Sequence, residues 1–133
     1  NKLQNDKPKH VYGFLMDIND FKTINDIYGH LKGDQAIIQF GKILQHSIDK
    51  DSVAIRMGGD EFVIFAILKS NEEALALKKR IEQNVRQFNI HSKEPFHLSF
   101  SIGIAKYNGN IDTFLSAMDD SMYEAKNMHR LMQ

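Results

Sequence analysis

Apolar and polar positions divide the chain into eight segments. Val11 to Met16 is an apolar run broken only by Gly13 and ended abruptly by Asp17. Its length and polar flanks predict a buried strand. Asp20 to Tyr28 predicts a short helix closed near Gly29. Asp34 to Ile48 predicts a longer one, where Ile37, Phe40, Ile43, Leu44 and Ile48 recur at helical spacing as one buried stripe. Val53 to Met57 and Glu61 to Leu68 read as strands, the second rich in β-branched and aromatic residues. Gly58-Gly59 between them suits a tight hairpin turn, because two glycines tolerate positive φ at both central positions. Ser70-Asn71-Glu72-Glu73 resembles a capping box. It opens a helix with Leu77, Ile81, Val85 and Phe88 on one face. Pro95 precedes a strand over Phe96 to Tyr107. A last helix runs from Asp112 to Arg130 with Phe114, Leu115, Met118, Met122 and Ala125 inward. The order β-α-α-β-β-α-β-α with one antiparallel hairpin predicts an α+β fold, with helices packed on a sheet.

Composition narrows the class. The 133 residues suit one domain over 1–133, with Asn1 to His10 as a polar lead-in. Because the chain starts at Asn1 without Met, we expect a piece of a longer protein. Lys+Arg and Asp+Glu balance at 17 each, which argues against a broad nucleic-acid or anionic-membrane binder. A small basic pocket for phosphate remains compatible with that balance. The absence of cysteine rules out disulfides, thiolate metal sites and a cysteine nucleophile, and fits a reducing compartment. No apolar run approaches the roughly 18 residues of a membrane span. The six histidines show no metal-ligand spacing.

Four places could carry chemistry. Asp17 ends a buried strand, and Asp60-Glu61 follow the glycine turn. If the strands are neighbours, these acids converge and repel unless a cation sits between them. Hard divalent cations take oxygen ligands and keep positions open for phosphate. The alternative is that Asp17 caps the next helix and Asp60-Glu61 are solvated turn residues. Asp17-Ile18-Asn19-Asp20-Phe21-Lys22 crosses a strand-to-helix turn, where backbone N–H groups and the helix dipole can favour phosphate. Asn25 and Asp34 flank a glycine-bearing turn; an amide plus a carboxylate can read a guanine edge, or can simply cap helices. Lys126 and Arg130 share a face of the last helix, as a phosphate clamp or as a solvated surface.

Taken together, these segments resemble the GGDEF domain of diguanylate cyclases. The resemblance rests on Gly58-Gly59-Asp60-Glu61-Phe62, preceded by Arg56, and on a first block running from Asp17 through Asn25 to Gly33-Asp34. Ser99-x-Ser101-Ile102-Gly103-Ile104-Ala105 and Asp119-x-x-Met122-Tyr123-x-Ala125-Lys126 complete it, in family order, over residues 11 to 130. It implies a mostly antiparallel central sheet flanked by helices, like nucleotidyl cyclases and polymerase palm domains. It implies condensation of two GTP into cyclic di-GMP with release of pyrophosphate, each 3′-hydroxyl attacking an α-phosphate across a homodimer. Asp17, Asp60 and the Ile18 carbonyl look like the metal ligands for Mg²⁺ or Mn²⁺, two ions per GTP. Asp60, Glu61 and Lys22 look like the catalytic set, Glu61 supporting the metal and the 3′-hydroxyl. Asn25 and Asp34 look like guanine readers, the acid at Asp34 favouring guanine over adenine. The backbone of Asn19, Asp20 and Phe21, with Lys22, Lys126 and Arg130, looks like the triphosphate cradle. An upstream sensory or regulatory region is implied, with no nucleic acid and no membrane contact by this domain. The resemblance also implies a cytoplasmic location, which a membrane-anchored full-length protein would satisfy too.

The chain departs from the family at some places. The inhibitory product site of the family has an Arg and, three residues later, an Asp; Asp49 and Ser52 stand there, so no such site is expected. The usual opening block is missing, with at most Asn1-Lys2 as its tail. His129 stands where glycine is common and Leu131 where Asn is common. The rival function is a non-catalytic GTP-binding module that signals to a neighbouring domain; a degenerate signature would favour it, and this signature is intact.

Overall fold

A computed structural model gives the fold of residues 8–133. The Asn1-Lys2 remnant lies outside these described residues. The elements are β1 (His10–Ile18), α1 (Phe21–Tyr28), α2 (His30–Ser47), β2 (Val53–Gly58), β3 (Glu61–Leu68), α3 (Asn71–His91), β4 (Phe100–Lys106) and α4 (Ile111–Leu131). Their order is the one that periodicity predicts. The four strands form one sheet in the order β2-β3-β1-β4. All the neighbours are antiparallel.

Side-chain alternation along β1 divides the core. Tyr12, Phe14, Met16 and Ile18 face α2 and α3, and meet Phe40, Leu44, Leu77 and Ile81 in the larger cluster. Phe40 sits edge-on to Phe62, with ring centroids 5.2 Å apart. Leu15 turns to the other face with Val63 and Ala105, under Phe114 and Met118 of α4. The α3 start is capped as the sequence suggests on one side, Ser70 Oγ accepting from Glu73 N–H at 3.2 Å; the Glu73 carboxylate reaches one residue further back than a capping box does, accepting from Lys69 N–H at 2.6 Å.

Four details differ from the sequence reading. The second helix begins at His30 rather than Asp34, because Gly29, at φ 90°, makes the whole break between α1 and α2. The hairpin turn is centred on Gly59-Asp60, one residue later than expected, since Gly58 pairs with Glu61 across a bulge. Asp60 therefore stands at the tip itself. The last strand starts at Phe100 rather than Phe96, because β1 ends opposite it at Ile18. Phe96 and Leu98 are still buried, and the Asn89 side chain takes the place of a strand partner, bonding both N–H and C=O of Leu98 at 2.7 and 2.8 Å. Leu115, expected inward, is exposed.

Helix α4 is seated on β4 at Gly103. A Cβ there would collide with the Met118 carbonyl and the Met122 backbone, with Met122 Cα at 2.8 Å. We expect Gly103→Ala to lose about 1–3 kcal/mol of stability through overpacking. Denaturant unfolding measures it, and a variant as stable as the parent contradicts this close seating.

Candidate active site

The site forms where β1 ends. Asp17 is only 1% exposed, lying opposite Glu61 on one side and Ser101 on the other. Ile18 N–H donates to the Asp60 carbonyl at 3.2 Å, which pins the hairpin tip to the end of β1. Arg56 Nε donates to the Gly59 carbonyl at 2.9 Å and braces the same turn. Gly59, at φ 53°, occupies a backbone region open to glycine at little cost. Antiparallel pairing and a two-residue turn thus bring Asp17 and Asp60 to one sheet end from separate stretches of chain.

The electrostatics follow from that placement. Burial, the largest influence, pushes the Asp17 carboxyl above its ordinary range. The Lys126 ammonium pulls it down, the nearby Asp60 charge adds to the rise, and Arg130 opposes it. Asp17 Oδ2 pairs with Lys126. Its other oxygen, Oδ1, is buried with no hydrogen-bond partner among the described residues. Such an orphan is costly and marks a position suited to a cation. No group of three or more His, Asp or Glu side chains able to hold a metal exists among the described residues. A cation at Asp17 would therefore need oxygens from the backbone or from a ligand besides the Asp17 and Asp60 carboxylates. That donor set fits a hard ion that keeps open positions for phosphate. Glu61 lies opposite Asp17 in register, yet its side chain lines a separate groove with Leu15, Val63, Leu115 and Met118.

Beside Asp17 lies a polar cavity of about 100 Å³, lined by Ile18, Asn19, Asp20, Lys126, His129 and Arg130. Asn19 is committed elsewhere: its N–H donates to the Ser99 carbonyl at 2.8 Å. Its side chain donates to Ser99 Oγ at 2.9 Å and accepts from Ser101 Oγ at 2.7 Å. It therefore holds the strand-to-helix turn in place rather than offering its own amide to a ligand, unlike the cradle role that the sequence suggested. Phe21 packs against the core, and Lys22 is exposed on α1, outside the cavity lining. Asn25 is half-buried with its Oδ1 over Gly33, where any Cβ would overlap it. This brings the amide to the residue next to Asp34. Asp34 itself is exposed and shares a shallow depression with Ile37, Ile38 and Arg56. Asp49 and Ser52 bond to each other at 3.0 Å in an exposed turn. The sequence reading noted His129 only as standing where glycine is common, and Ser101 only as part of the late-strand motif. The period-two spacing of Ser99 and Ser101 was the available signal for their shared face.

The family model described as "Diguanylate cyclase, GGDEF domain" matches residues 1–131. The chain belongs to the GGDEF family. It is 36% identical over 115 residues to diguanylate cyclase DgcM of Escherichia coli, covering 85% of this chain and 28% of that protein. The chain thus spans under a third of that curated relative. Among solved structures, the GGDEF domain of YfiN from Pseudomonas aeruginosa superposes with a TM-score of 0.81 at 29% identity, covering 96% of this chain and 82% of that one. The active GGEEF domain of a diguanylate cyclase from Vibrio cholerae gives 0.76 at 27% identity, covering 95% and 81%. The expected α+β, cyclase- and palm-like architecture of a GGDEF domain is borne out. No described helix is long and apolar enough to cross a membrane.

The orphaned carboxylate gives this GGDEF domain a testable weakness. Without divalent cations, Asp17→Asn should melt a few degrees higher than the parent at neutral pH, because a buried charge is removed while half-exposed Lys126 is left to water. A raised folded-state pKa means that protonation favours the fold, so the parent loses stability as pH rises out of the carboxylate range. The gap between the two proteins should therefore close in acid. Thermal melts across pH check this; a less stable Asn variant at neutral pH contradicts it.

Proposed function

We propose that this domain is the catalytic unit of a diguanylate cyclase, condensing two GTP molecules into cyclic di-GMP. The observation that carries the reading is the buried, half-satisfied Asp17 carboxylate held beside the signature turn, next to a cavity lined by Lys126 and Arg130. In each half-reaction a 3′-hydroxyl oxygen bonds to the α-phosphorus of the other GTP. The bond to the β-phosphate breaks, pyrophosphate leaves with its electron pair, and the hydroxyl proton passes to solvent. Asp17 and Asp60, with the Ile18 carbonyl, would hold Mg²⁺ or Mn²⁺, two per GTP; the bound ions lower the hydroxyl pKa and offset charge on pyrophosphate. Lys126 and Arg130 bind phosphate oxygens, assisted by the N–H groups at the start of α1 and by Lys22. Asn25 and Asp34 orient guanine, the Asp34 carboxylate accepting from its N1–H and N2–H₂. Glu61 supports the 3′-hydroxyl environment.

One domain holds one GTP, so two copies must face each other, and an upstream region sets their approach. The intact signature favours this enzyme over a GTP-binding module that only signals. Incubating full-length protein with GTP and Mg²⁺ and assaying for cyclic di-GMP and pyrophosphate separates the two. Asp60→Ala should reduce turnover by at least ~100-fold while leaving the fold intact, the scale of one lost electrostatic contact to the transition state; normal turnover by this variant refutes the assignment. Asn25→Ala and Asp34→Ala should instead raise KM for GTP and relax base choice, read by competition with ATP.

Asp49 and Ser52 form a self-satisfied anionic turn, and Asp49 repels a cyclic dinucleotide's phosphates. Product inhibition through this turn should be weak or absent. Rates measured against added cyclic di-GMP test it, and strong inhibition lost in Asp49→Ala would contradict it.

A further inference from the structure

The phosphate cavity contains a side chain that the proposed mechanism leaves unused. His129 lies three residues after Lys126 and one before Arg130, so all three nitrogen-bearing side chains rise from one face of the last turns of α4. All three line the same cavity. His129 Nε2 is 3.3 Å from Asp20 Oδ2, a long contact made across the cavity wall. The same carboxylate oxygen accepts from Gln133 Nε2 at 2.8 Å. Asp20 therefore keeps a partner if His129 turns away.

Asp20 is itself unusual. It precedes α1 in the left-handed region, at φ 57° and ψ 32°, and is the only described residue other than glycine with positive φ. It sits at the N-cap position, but its side chain makes no capping bond there. The carboxylate is turned across to α4 instead, leaving the start of the helix without a side-chain cap. A negative charge thus stands on the wall of a cavity that otherwise presents two cations and an imidazole. An entering anion is repelled by Asp20 and attracted by the groups on α4.

Resting on the reading of this cavity as the triphosphate cradle, we propose that His129 is a third phosphate-binding group, held by Asp20 in the free protein and transferred to a phosphate oxygen when GTP binds. Asp20 is then a positioning residue that weakens resting affinity, and His129 a contact to substrate. Asn tolerates left-handed backbone and still accepts a hydrogen bond, so Asp20→Asn removes the charge and preserves the local structure.

Calorimetric titration of full-length protein with 3′-deoxy-GTP and Mg²⁺ tests this. That nucleotide lacks the attacking hydroxyl, so binding is read without turnover. His129→Ala should weaken it about tenfold, the low end for one hydrogen bond to a charged group, with guanosine binding unchanged. Asp20→Asn should tighten it about threefold, a direction that a merely structural role for Asp20 does not produce. Lys126→Ala serves as the reference. If Lys126→Ala weakens binding while His129→Ala matches the parent, the role of His129 is overturned and the cradle stands. If neither variant weakens it, the cradle reading itself fails. Weaker binding by Asp20→Asn overturns the restraint assigned to Asp20.

Discussion

The structure turns on one unfavourable placement: a carboxylate at the end of the central strand, flanked on both sides by other strands and closed off from water. Asp17 occupies the position where a hydrophobic residue would suit the fold best. Its only partner is a lysine from α4, and one oxygen has none among the described residues. A buried carboxylate with one oxygen unpaired lowers stability, and it leaves that oxygen open to a positive partner.

Everything around Asp17 keeps it in that position. Strands β3 and β4 fix its register from both sides, and the Ile18–Asp60 bond ties the hairpin tip to the same level. Asn19 then locks the chain just beyond the strand to Ser99 and Ser101. The contact between Gly103 and the backbone of α4 sets the height at which Lys126, His129 and Arg130 meet the strand end. The cavity is therefore built from three supports distant in sequence, none of them a loop left to find its own position.

The Asn25–Asp34 pair is built differently. Asn25 and Asp34 come from the short α1–α2 unit, where Gly29 breaks the helix and Gly33 makes room for the amide. This arrangement is local, within about ten residues, which is why the glycine-bearing turn between them was visible from the sequence. The cavity beside Asp17 needs the whole sheet and the last helix, and little of its geometry could be read from spacing alone.

The sequence by itself determined the element types and their order, because periodicity, capping residues and glycine turns act over a few residues. It also determined the motif residues and hence the family, since those residues stand in a fixed order whatever their contacts. The tertiary structure decided which groups face one another. Strand register, not composition, put Asp17 beside Asp60 and turned Glu61 toward an apolar groove. Only packing of α4 on the sheet could bring His129 to Asp20, 109 residues away, or consume the Asn19 amide that local reasoning left free. Contacts of that range are fixed by the common core, where a shift of one residue in a strand reverses every side chain.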